Sequence, residues 1–285
     1  MIHLGLTGYP LGHSLSPKLH SAALHYYDLQ GEYSLFPIKP EALQSLNQLL
    51  GRVRSGKITG LNVTIPHKQN VIPFLDELTE TAHAVGAVNT IYLRDKKLIG
   101  DNTDSPAFLA DLMDFLTETH SRVFGEELVV RQNRAIVLGA GGSARAVVYA
   151  LLKDGWNIIL AARRIEQAQQ LANSFPDHEL GITDSTLPNI EFSNITLIVN
   201  TTPVGMAPNT HRSPWPENLS FPPNAAIYDL VYNPYETNLV KDARSQGLRA
   251  TSGRGMLVEQ AALAFELWTG KQVSREIMLS AVEES

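Results

Sequence analysis

The chain has no cysteine. Disulfides, thiolate metal sites and a cysteine nucleophile are therefore excluded, and the absence leans toward a reducing compartment. No uncharged run is long enough to span a bilayer, and the opening MIHLGLTGYPLG lacks a basic stretch followed by an extended apolar one. A cytoplasmic protein without a membrane partner is expected. A basic surplus is missing as well: 23 Lys and Arg stand against 29 Asp and Glu, for a formal net charge of -6. That balance disfavours nucleic acid as the main partner. Neither an internal repeat nor a low-complexity segment stands out. What remains is a small-molecule function.

At 285 residues with 44% hydrophobic content, the chain exceeds the usual single-domain size and has enough apolar material for two cores. Short apolar runs alternate with helical patterns. Strands are expected over 2–7, 33–38 and 58–65, with helices over 17–27 and from 41 onward. A second series starts at Ala135: strand AIVLG, a helix to about Lys153, strand NIILAA, a helix over 167–174, then strands LIVNTT and AAIYDL. This alternation predicts an α/β protein of two domains with mostly parallel sheets, the second of them doubly wound. The helix-like SPAFLADLMDFL and the irregular, polar TETHSRVFGEELVVRQN separate the two series. Prolines crowd residues 203–223 too densely for regular structure, so a long loop is expected there.

VLGAGGSARA carries Gly139-x-Gly141-x-x-Ala144 directly after a strand and before a helix, a permitted form of the dinucleotide fingerprint. The first glycine permits a tight turn and the second a close approach of backbone to pyrophosphate. The helix start, through Ala140, Gly142 and Ser143, offers amides and a favourable dipole. At the end of the next strand an acid would grip a ribose 2′-hydroxyl. This chain instead has Arg163 and Arg164, with the nearest carboxylate, Glu166, in the helix beyond. Guanidinium matches phosphate, so NADP is expected rather than NAD. Ordinary solvated arginines are the alternative.

In GLNVTIPHK the strand period turns Leu61, Val63 and Ile65 to one face and Asn62 and Thr64 to the other. Pro66 then ends the strand and hands on Lys68. A surface lysine is the plain alternative. GHSLSPKLH reads as a helix start with Ser16 as N-cap and Pro17 first in the helix. Ser14 and Ser16 at the positive end of a helix equally make a carboxylate receptor. AVNTI puts Asn89 and Thr90 in an apolar segment. GDNTD follows the hairpin-like RDKKL and either caps the next helix or joins a polar cluster with Asn89 and Lys68.

The ordered set GHSLSP, NVTIPHK, AVNT, GDNTD, GAGGSAR, NTTPVGM, YDLVY and GMLVEQAA, spread along nearly the whole chain, resembles the shikimate dehydrogenase family. The resemblance implies reversible NADPH-dependent reduction of 3-dehydroshikimate to shikimate, in aromatic amino-acid biosynthesis. It implies a substrate-binding and catalytic domain of residues 1–104 with 254–285, and a Rossmann-type NADP domain of residues 105–253. Lys68 and Asp104 match the catalytic pair. Ser14, Ser16, Asn62, Thr64, Asn89, Tyr232 and Gln260 match substrate contacts. Gly139 to Ala144, Arg163, Arg164, Thr201 and Gly253 match the cofactor site, and no metal is implied. A monomer or homodimer is expected. Two positions depart from common family forms: Ser105-Pro106 follows GDNTD in place of glycine, and Ala162-Arg163-Arg164 stands where NRT is frequent. His67 is assigned no role. A quinate/shikimate dehydrogenase using NAD, a non-catalytic sensor of a cyclic polyol acid and, more remotely, a folate-linked dehydrogenase are the competing readings.

Overall fold

The computed structural model describes residues 1–117, 133–188 and 190–283. The expected irregular connection TETHSRVFGEELVVRQN lies almost wholly outside them. Two compact units emerge, Met1–Ala107 with Val258–Ser285, and Phe108–Leu257. The division falls within two helices, α4 (Asp104–Thr117) and α8 (Arg254–Thr269), one turn inside the starts at which the resemblance placed its boundaries.

In the first unit, β1 (Ile2–Gly8), β2 (Gly31–Pro37), β3 (Gly60–Val63), β4 (Glu77–Leu78), β5 (Thr90–Arg94) and β6 (Lys97–Asp101) form one sheet in the order β2-β1-β3-β5-β6-β4. β1 pairs in parallel with both β2 and β3, whereas β5 runs antiparallel to β3 and β6. The hairpin read from RDKKL is β5–β6, turning through Asp95 and Lys96, both at positive φ. That is the twist a two-residue hairpin turn requires. α1 (Ser16–Tyr26), α2 (Leu43–Arg54) and α3 (Glu80–Val85) complete the N-terminal part. Leu46, Leu49, Leu50 and Val53 of α2 bury one apolar stripe against Leu61, Val63, Ile91 and Leu98 of the sheet. The end of the chain returns to this unit: Trp268 of α8 lies against Gly60, where any side chain would meet its indole, and donates to Ile91 O at 3.2 Å. α9 (Arg275–Glu283) packs on α1.

One detail of the strand departs from the sequence expectation. β3 ends at Val63, and Ile65 is 51% exposed instead of sharing the face of Leu61 and Val63. The chain leaves the ladder early because Thr64 N–H bonds Thr7 O and Ile65 O receives Tyr9 N–H, tying this turn to the segment after β1.

The second unit is a wholly parallel sheet of β7 (Arg134–Leu138), β8 (Asn157–Ala162), β9 (Gly181–Asp184), β10 (Leu197–Asn200), β11 (Ala226–Asp229) and β12 (Ala250–Ser252), in the order β12-β11-β10-β7-β8-β9. α5 (Gly142–Lys153), α6 (Ile165–Ala172) and α7 (Asn238–Ser245) connect its strands. β7 and β10 bear continuous buried runs, as strands covered on both faces must. Residues 201–225, the proline-rich stretch, contain no helix or strand. At the root of the linking helices, Tyr228 donates to the carboxylate of Asp111 in α4, and Gly255 of α8 leaves room for that carboxylate. Burial and Asp111 together push the Tyr228 phenol far above its usual range, so it stays a donor.

Candidate active site

Both sheets reverse their winding direction at one place, β1/β3 in the first and β7/β10 in the second. In open α/β sheets ligands settle beyond the strand ends at such a switch point. The candidate residues cluster at these two edges.

At the first edge, Lys68 Nζ lies 2.6 Å from Asp104 Oδ2, and both residues are buried. The surface-lysine alternative is thereby excluded. Lys68 is fixed from below, its carbonyl receiving Val88 N–H at 2.7 Å. Asp104, first residue of α4, is fixed by Asn89, whose Nδ2 donates to Asp104 Oδ1 and to Thr103 Oγ1, both at 2.9 Å. Asn89 Oδ1 accepts from Thr103 N–H at 2.8 Å and from Thr90 Oγ1 at 3.1 Å. Both donors and both lone pairs of that amide are engaged, so it cannot turn without losing bonds in a dry environment. The two readings of GDNTD both hold. Asn102 Oδ1 accepts Ser105 N–H at 3.1 Å, a helix-start contact, while Asp104 faces the lysine.

Ser14 is half-buried and Ser16 buried. α1 begins one residue earlier than expected, with Ser16 as its first residue and Leu15 at the cap position without a side-chain cap bond. Ser14 Oγ instead accepts Ser16 N–H at 3.3 Å, a serine turn that performs the capping. The Ser16 hydroxyl is consequently not spent on a cap. Neither it nor the half-buried Thr64 hydroxyl has a hydrogen-bond partner among the described residues. Gln260 sits half-buried on α8, and its carbonyl accepts Thr103 Oγ1 at 3.2 Å. Asn62 is buried and bonded to Tyr33, Asn89 O and Thr90. His67, given no role from sequence, is fully buried and bonds Ile38 O at 2.8 Å through Nε2, anchoring the lysine turn to the segment after β2.

At the second edge, Gly139 follows β7 with φ +110, and a Cβ there would lie 2.6 Å from Thr201 Oγ1, just beyond β10. Only glycine fits this turn. A Cβ on Gly141 would meet nothing within 4 Å, and α5 starts at Gly142 without a side-chain cap bond. The turn runs through Ala140, and Ser143 and Ala144 lie in the first turn of α5, an N-terminus whose amides and dipole suit an anion. Arg163 and Arg164 are exposed directly after β8, and Glu166 is exposed in the first turn of α6. Glycine at 253 is demanded by the Leu230 carbonyl, against which any side chain would collide. Tyr232 is half-buried in the loop after β11.

Sequence reading missed Asp229. This buried carboxylate receives Asn200 Nδ2 at 2.8 Å, Thr237 Oγ1 at 2.6 Å and Val231 N–H at 3.0 Å, bracing the loops that carry Thr201 and Tyr232. Burial pushes its pKa up to about 6 against those bonds. A folded pKa above the ordinary one means that ionising Asp229 costs stability as pH rises from about 4 to about 6. The signal was present in YDLVY, an acid at the end of an apolar strand.

Comparison with known proteins agrees with this geometry. The Shikimate dehydrogenase substrate binding domain model matches residues 6–91, the Shikimate / quinate 5-dehydrogenase model residues 121–202, and the Shikimate 5'-dehydrogenase C-terminal domain model residues 253–283. Shikimate dehydrogenase (NADP(+)) of Synechocystis is 40% identical, over 98% of this chain and 94% of the relative. The chain belongs to the shikimate dehydrogenase family. Among solved family structures, shikimate 5-dehydrogenase from Thermus thermophilus in complex with NADP(H) and shikimate superposes with a TM-score of 0.83 at 33% identity, covering 100% of this chain and 99% of that one. Quinate dehydrogenase from Corynebacterium glutamicum in complex with NAD gives 0.85 at 29%, with coverage of 100% and 99%. The family expectation of a mostly parallel α/β substrate domain and a Rossmann-type NADP domain holds.

Proposed function

We infer that the protein catalyses the reversible NADPH-dependent reduction of 3-dehydroshikimate to shikimate, with Lys68 and Asp104 performing the proton chemistry. The observation that carries this reading is the buried 2.6 Å ion pair, held by a fully engaged Asn89 at the switch point of the first sheet. Membership of the family, with relatives named for NADP, supports it.

Bound NADPH supplies the hydride. The turn of Gly139 to Ala144 would hold the pyrophosphate and Arg163 and Arg164 the 2′-phosphate, with Thr201 and Gly253 completing the cofactor site. As the ketone carbon is reduced, negative charge grows on its oxygen, and Lys68 stabilises that charge and serves as the acid. Asp104 orients the ammonium and completes the proton path. In the direction of oxidation the pair takes the hydroxyl proton. Ser14 and Ser16 hold the carboxylate at the positive end of α1, where the unspent Ser16 hydroxyl adds to the dipole. Thr64, Gln260 and Tyr232 complete the substrate contacts implied by family membership.

Likeness to quinate dehydrogenase keeps a second reading in play, oxidation of quinate with NAD. The arginines that directly follow β8, where an NAD site would carry an acid, weigh against NAD. Steady-state rates for shikimate and quinate, each with NADP and NAD, decide the matter. The shikimate–NADP pair should give the highest kcat/KM, and comparable values for quinate would move the protein to the quinate branch.

Ser14→Ala should weaken shikimate binding by about 1.5 to 3 kcal/mol, the usual value of a hydrogen bond to a charged group. Preference for the acid over its methyl ester should fall with it. If acid and ester are discriminated as before, the carboxylate is bound elsewhere.

A further inference from the structure

The carboxylate of Asp229 has no part in the chemistry above, yet the three groups bonded to it are all donors. Its Oδ1 accepts Asn200 Nδ2 at 2.8 Å and Val231 N–H at 3.0 Å, and its Oδ2 accepts the Thr237 hydroxyl at 2.6 Å. Asp229, Asn200 and Thr237 are buried. Hydrogen bonds to an ionised acceptor are about twice as strong as neutral ones, so the Asn200 amide is held firmly by its NH₂ end.

The other end of that amide shapes a turn. Asn200 Oδ1 accepts Thr202 N–H at 2.9 Å and Thr202 Oγ1 at 2.7 Å, and Thr202 Oγ1 in turn accepts Val204 N–H at 3.3 Å. A main-chain N–H only donates, so the amide is oriented with its oxygen to the turn and its NH₂ to Asp229. This turn is packed on the glycine loop after β7. Thr201 N–H and Thr201 Oγ1 both donate to Leu138 O, at 2.9 and 2.7 Å, and a Cβ on Gly139 would lie 2.6 Å from Thr201 Oγ1 and 3.0 Å from Thr202 Cγ2. A continuous series of contacts joins Asp229, Asn200, Thr202 and Gly139.

We propose that Asp229 is a positioning residue for the cofactor: acting through Asn200, it holds the turn after β10 against Gly139 and so keeps the glycine loop in its binding shape before the dinucleotide arrives. The proposal rests on the reading of that loop as the NADPH site. It extends the reading to a buried acid that acts at a distance from the cofactor. Because the pyrophosphate is common to NADPH and NADH, loosening the turn should weaken both alike.

Fluorescence titration of the substrate-free enzyme with NADPH and with NADH tests this, with melting profiles measured beside it. Thr202→Val keeps the methyl against Gly139 and removes only the hydroxyl, and both dissociation constants should rise about 3- to 10-fold, the usual range for a lost neutral hydrogen bond. Asp229→Asn keeps the shape and removes the charge. It should raise both constants by a similar factor and leave their ratio unchanged, whereas loss of Arg163 and Arg164 shifts the ratio. The double variant should lose less than the product of the single losses, because both changes act on one turn. Thr202 is only half-buried, so its variant decides the matter if Asp229→Asn fails to fold. A lowered melting temperature with unchanged dissociation constants, or a rise for NADPH alone, overturns the proposal. A wild-type enzyme that binds neither nucleotide sinks the reading of the loop itself, and the proposal with it.

Discussion

Lys68→Ala should lower kcat by about 10² to 10⁴, the usual contribution of a positioned acid or base, while KM for shikimate moves only a few-fold. Charge develops on the carbonyl oxygen only as hydride arrives, so a cation held beside it binds the transition state better than the ketone. The structure sharpens this expectation. The lysine is buried against Asp104, and Asp104 is pinned by Asn89, so the ammonium is already oriented before substrate arrives. Asp104→Asn should fall in the same range, because the amide leaves the lysine without its anionic partner. The double variant should lose far less than the product of the single losses, since the two groups work as a unit.

Replacing both Arg163 and Arg164 by alanine should raise the apparent constant for NADP by about 10- to 100-fold while that for NAD moves little, the two solvent-exposed contacts to the phosphate together being worth roughly 1.5 to 3 kcal/mol. Both side chains are exposed at the end of β8, and among the described residues neither forms an ion pair. Their loss should therefore leave the fold intact. Arg164 takes the cap position of α6 through its backbone alone, which alanine preserves. Steady-state constants for the two cofactors, measured on one preparation of each enzyme, check this. Unchanged discrimination would mean that the 2′-phosphate is read elsewhere.

How much of this was legible in the sequence depends on how local the cause is. The βα alternation, the glycine turn after β7 and the hairpin at Asp95-Lys96 are set by neighbours in the chain, and all were readable. The helix start at GHSLSP was readable only to within one residue, because a serine two positions back captured the N–H that a cap would take. The end of β3 was misplaced because a partner from the β1 end, Tyr9, draws Ile65 off the ladder. The candidate pair itself came from resemblance, since nothing in the spacing of residues 68 and 104 says that they touch. Beyond reach altogether were the engaged amide of Asn89, the anchor of His67 on Ile38 and the stack of His20 on Tyr33. Each joins residues that only the tertiary fold brings together.

The most direct test of the account is single-turnover NADPH oxidation by Lys68→Ala, at saturating 3-dehydroshikimate, after circular dichroism has confirmed the fold. A hydride-transfer rate reduced by about 10² or more, with substrate affinity close to that of the parent enzyme, is the predicted result. A near-normal rate with weakened substrate affinity would contradict it, making Lys68 a binding group and sending the search for the acid to Asp104 or a bound water.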